Sequence, residues 1–101
     1  MRGYKAHTVR DQIRFLTNAA RLRPAAFAVI DKVQGLTPGE QILGAAVALI
    51  AMTQSAGINL NDVMSTAGRV MADVDGPFNT HLKAIRDFAH HEIAGGEEYR
   101  A

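Results

Sequence analysis

The chain has 101 residues, of which 48% are hydrophobic and 21% charged, with eleven basic and ten acidic side chains and a net charge of +1. These values fit one globular domain with a modest core and exclude an intrinsically disordered chain. Cysteine is absent, which excludes disulfides and thiolate metal centres.

The first twelve residues, MRGYKAHTVRDQ, lack the apolar core of a signal peptide, so export by that route is not expected. Residues 1–23 hold six of the eleven basic groups and one acid, Asp11. Thr8, with Asp11 three residues later, reads as the N-cap of a first helix running to about Arg21 or Leu22. On such a helix Arg10, Arg14 and Arg21 fall within about 40° of one another by the 3.6-residue period. Three arginines in line suit an acidic partner surface or the phosphates of a nucleic acid.

Pro24 suits the first turn of a second helix through AAFAVIDKV, and Gly35 is available as its left-handed cap. LTPGEQ is the strongest start signal in the chain: Thr37 caps, Pro38 takes the first helical position, and Glu40 reaches back to the cap. The third helix therefore spans about 38–56 and stops at Gly57. It lies in QILGAAVALIAMTQSAGINLN, residues 41–61, which carries no charge. Its strongly apolar part covers only Ile42 to Met52, short of the roughly 20 apolar residues a membrane helix needs, so no membrane span is expected. Ile42, Leu43, Val47, Leu49 and Ile50 form one bulky face, and Gly44, Ala45, Ala48, Ala51 and Ser55 a small one. A helix with no charged face is surrounded by its own domain or covered by a partner. The expectation is a central helix packed among the other four. Gly44, Ala48, Ala51 and Ser55 are the candidate surface for self-association.

Asn59 reads as the cap of a fourth helix to about Asp73, and Asp75 as the cap of a fifth from about Pro77 to Ala94, stopped by Gly95 and Gly96. Met52, Met64 and Met71 read as gap-filling core residues. Residues 97–101 read as a frayed tail, leaving one domain over residues 1–96. The fold class is all-α, a compact bundle or orthogonal array of about five helices.

Little in this pattern asks for chemistry. Asp87 and His91 lie four apart and read as a surface pair near a helix C-terminus, too few ligands for a closed metal site. DVDG, residues 73–76, fails as a calcium loop, because alignment on Gly76 puts Met71 and Leu82 at the terminal ligand positions. Ser55 and Ser65 lack a nucleophile elbow, and no phosphate-binding glycine loop occurs. The expectation is a protein that is not an enzyme and takes no cofactor or metal. QSAGINLNDVMSTAGRVM has the rhythm of a helix-turn-helix, yet its second helix offers only Asn61, Ser65, Thr66 and Arg69 as polar contacts.

HTVRDQIRFL, RPAAF and LTPGEQILGAAVALIAMTQSAGINLNDVMSTA together resemble the small, arginine- and alanine-rich helical proteins of tailed bacteriophages and prophages. The resemblance covers about two-thirds of the chain and transfers no functional residue. It implies a virion component, an assembly helper or a host-takeover factor, in the bacterial cytoplasm or the virion. The expected function is a non-enzymatic, homo-oligomeric protein-protein interaction module that binds itself and another protein. The competing expectation is a nucleic-acid-binding regulator using the basic first helix.

Overall fold

A computed structural model of the chain describes residues 5–15, 18–77 and 79–93. Five α-helices run in order, α1 Ala6–Arg14, α2 Leu22–Lys32, α3 Pro38–Ala56, α4 Leu60–Ala72 and α5 Thr80–Ile93, with a 3₁₀ turn at Ala19–Arg21 before α2. The fold is all-α, as the sequence pattern requires. Residues 97–101, read as a frayed tail, and Ala94, read as the end of the fifth helix, lie outside the described residues.

The termini of α3 are set by local chemistry. Glu40 N–H donates to Thr37 Oγ1 at 3.2 Å and Thr37 N–H donates to Glu40 Oε1 at 3.0 Å, a complete capping box with Pro38 at the first position. At the other end Gly57 is left-handed, with φ 71°, and Ile58 N–H returns to the Thr53 carbonyl at 3.0 Å. This is a Schellman closure, which turns the chain sharply toward α4. Asn59 then caps α4, its side chain accepting from Asn61 N–H at 2.7 Å. Gly35 is also left-handed, with φ 87°, in the turn between α2 and α3.

Three boundaries differ from the sequence reading. α1 starts at Ala6 because Thr8 N–H is already bonded to the Lys5 carbonyl at 3.0 Å, so Thr8 sits inside the helix and does not cap it. α1 also stops at Arg14. Asn18 accepts from Ala20 N–H at 3.0 Å with its side chain, and that local bond competes with helix continuation. α5 begins at Thr80, with Lys83 N–H bonded to the Asn79 carbonyl at 3.0 Å. Asp75 is not its cap: it takes Arg86 Nη1 at 2.7 Å instead.

The helices pack as two pairs. α2 lies on α5, with the 3₁₀ turn against both, and α1 lies on α4. Phe27 and Phe88 stack across the first pair, centroids 4.4 Å apart and planes 7° apart. Arg23 covers the Phe27 ring at 5.3 Å and reaches His81 Nδ1 at 3.4 Å. Arg14 and Asp62 bridge the second pair at 3.1 Å. Buried apolar side chains among the described residues reduce to Val9, Ala56 and Leu82. The radius of gyration is 14.5 Å, against about 13 Å for a closely packed chain of 100 residues.

Candidate interaction surface

Helix α3 stands outside both pairs, and its two sides are reversed. Gln41 and Thr53 are 3% and 4% exposed, while Leu43, Val47 and Ile50 are 67%, 59% and 40% exposed. Gln41 donates to the Val33 carbonyl at 3.0 Å, which ties that side of α3 to the end of α2, and Thr53 satisfies its hydroxyl on the Ile50 carbonyl of its own helix at 2.8 Å. Gln41 Oε1 is buried with no partner. Leu43, Val47 and Ile50 are spaced i, i+4, i+7 and form one outward ridge within about 60° of arc. Ile42 and Met52 are exposed too, on other sides of the helix.

The expectation that the other four helices surround this helix is therefore corrected. α2 packs chiefly on α5 and α1 on α4, and α3 joins its neighbours through short links at residues 33–37 and 57–59, closed by the capping box and the Gly57 turn. The methionine reading is corrected as well: Met52, Met64 and Met71 are all exposed. Gly44, Ala48, Ala51 and Ser55 are exposed along the side of α3 next to the ridge, and a Cβ at Gly44 would meet nothing within 4 Å.

A second apolar surface lies between the two helix pairs. It is an open groove of about 600 Å³, walled by Ile13 of α1, Leu22 and Val29 of α2, Val63 and Val70 of α4, and Ile85 of α5. Arg21 is the only charged residue among the described residues of its wall. Protein interiors hold few voids larger than a water molecule, so a seam of this size is unfilled core. Composition and periodicity carry no sign that the seam between the pairs stays open.

The arginine stripe is not assembled. Arg10 and Arg14 lie on α1 with Arg14 held by Asp62, whereas Arg21 belongs to the separate 3₁₀ turn at the lip of the groove. Asp87 lies 3.9 Å from Arg86 Nε, and the Asp75–Arg86 pair dominates that end of α5. The hydrogen bond and charge of Arg86 hold the Asp75 carboxyl below its ordinary range and push Arg86 up. Among the described residues no three His, Asp or Glu side chains converge on one point. Nor is any helix there long and apolar enough to cross a membrane. No protein-family model, curated protein or solved structure matches the chain.

Proposed function

We propose that the chain is a non-enzymatic helical interaction module that works as a homo-oligomer, with the outward face of α3 as its contact surface. The observation that carries this reading is the reversal of α3: polar Gln41 and Thr53 inside, Leu43, Val47 and Ile50 outside. A surface helix of a self-sufficient monomer turns its polar side to water. Contiguous exposed apolar side chains on a small protein mark a place where another macromolecule sits. The alternative, a nucleic-acid-binding regulator, draws less support, because Arg21 leaves the helix of Arg10 and Arg14, and Arg14 faces Asp62.

The test is a paired substitution, Leu43→Gln with Val47→Gln. Both side chains are more than half exposed, so the chain keeps its helix content by circular dichroism while its mass by light scattering falls to that of one chain. An unchanged oligomer mass in this variant would remove α3 as the contact surface. Nucleic acid that copurifies with the wild type, and that moderate salt strips away, would favour the alternative.

A further inference from the structure

We propose that the groove between the helix pairs binds a single-chain amphiphile with an anionic head, a medium- or long-chain carboxylate being the simplest member. The groove holds about 600 Å³. That is within the usual range of small-molecule sites, which are mostly apolar with a few polar groups that set orientation. Its described walls come from α1, α2, α4, α5 and the 3₁₀ turn, and no residue of α3 lines it. The site is therefore separate from the α3 face and does not depend on the oligomer.

The chemistry of the wall selects the ligand class. Ile13, Leu22, Val29, Val63, Val70 and Ile85 are branched aliphatics, and no aromatic ring occurs among the described lining residues. Such a wall suits a flexible methylene chain, whereas a flat ring finds no partner to stack on. Burying the chain drives binding, each methylene taken out of water raising affinity up to about fourfold. Arg21 selects the head. It is exposed and is the single charge among the described lining residues. The ion pairs among the described residues engage Arg14 and Arg86, and none engages Arg21. A guanidinium presents parallel N–H donors that match a carboxylate. A carboxylate placed on Arg21 lets its chain run into the seam, while an ammonium head meets like charge there.

The test titrates the full wild-type chain by calorimetry with dodecanoate, octanoate and dodecyltrimethylammonium, each below its micelle concentration. Methyl NMR of isoleucine-labelled protein locates the ligand. The expected result is saturable binding of dodecanoate, with octanoate weaker by at least about tenfold and the ammonium amphiphile weaker still. The methyl shifts are largest at Ile13 and Ile85, which line the groove, and small at Ile42 and Ile50 of α3. Arg21→Gln, at an exposed position where helix content is retained, lowers dodecanoate affinity by about tenfold and removes the preference over the ammonium amphiphile. Absence of saturable dodecanoate binding overturns the proposal. So does equal affinity for the ammonium amphiphile, a preference that survives Arg21→Gln, or shifts largest at Ile42 and Ile50. None of these results decides the oligomer, which is read from mass in the Leu43→Gln, Val47→Gln variant.

Discussion

Single residues fix the ends of the helices, and Thr37 is the clearest case. Its side chain satisfies an otherwise unbonded amide of α3, so Thr37→Ala is expected to cost about 1 kcal/mol in chemical denaturation, the usual value of an N-cap. Glu40 adds a pH dependence. The hydrogen bond from the Thr37 amide holds its carboxyl below the ordinary glutamate range. A carboxyl whose folded pKa is depressed contributes its stabilisation above its unfolded pKa and loses it as pH falls through the folded one. Glu40→Gln keeps an acceptor for the box but removes this titration. The stability gap between wild type and Glu40→Gln should therefore shrink as pH falls through the acid range, and a gap constant with pH would contradict the assignment. Two glycines give opposite signs. A Cβ at Gly76 would lie 2.7 Å from Asn79 Nδ2, whose bond to the Asp73 carboxylate closes the turn before α5. Gly76→Ala should cost about 0.5–1.5 kcal/mol for each Asn79 bond displaced. Gly68, inside α4 with open space around its Cα, should gain about 0.5–1 kcal/mol on Gly68→Ala. Paired thermal melts of the two variants check both.

At the scale of elements, the sequence was legible where a local signal exists. Thr37, Pro38, Glu40 and Gly57 mark α3 on both sides, and the structure places its ends at Pro38 and Ala56. Asn59 marks the start of α4 equally well. Apolar periodicity continues past Asn18 and suggests one helix to Arg21 or Leu22, whereas α1 ends at Arg14 and Asn18 opens a separate 3₁₀ turn. That signal was present in the sequence and sufficed to separate Arg21 from Arg10 and Arg14. The pairing of α2 with α5 was not legible. Phe27 and Phe88 meet over a long sequence separation, and no spacing rule connects them. For α3, periodicity separated a bulky from a small face but could not say which of them water would meet. Buried Gln41 turns that side inward, through its bond to the Val33 carbonyl at the end of α2. Removing the Gln41 side chain as Gln41→Ala should cost about 1–3 kcal/mol, since it undoes a buried contact between α3 and the end of α2. A denaturation midpoint unchanged from wild type would show that this link does not hold α3 in place.

At the scale of the whole molecule, Val9, Ala56 and Leu82 are the buried apolar side chains among the described residues, and completely burying one such side chain contributes about 1.5–3 kcal/mol. Exposed ion pairs add little: Arg14–Asp62, half exposed on both sides, is worth at most about 1 kcal/mol. If the proposed homo-oligomer forms, association covers the exposed apolar helix, and stability then depends on protomer concentration. The most direct measurement is light scattering of the wild type across a dilution series, with helix content followed in parallel. A homo-oligomer held by α3 gives at least twice 10.9 kDa at high concentration, with mass and helicity falling together on dilution. A mass of 10.9 kDa at every concentration, with helix content unchanged, would contradict it.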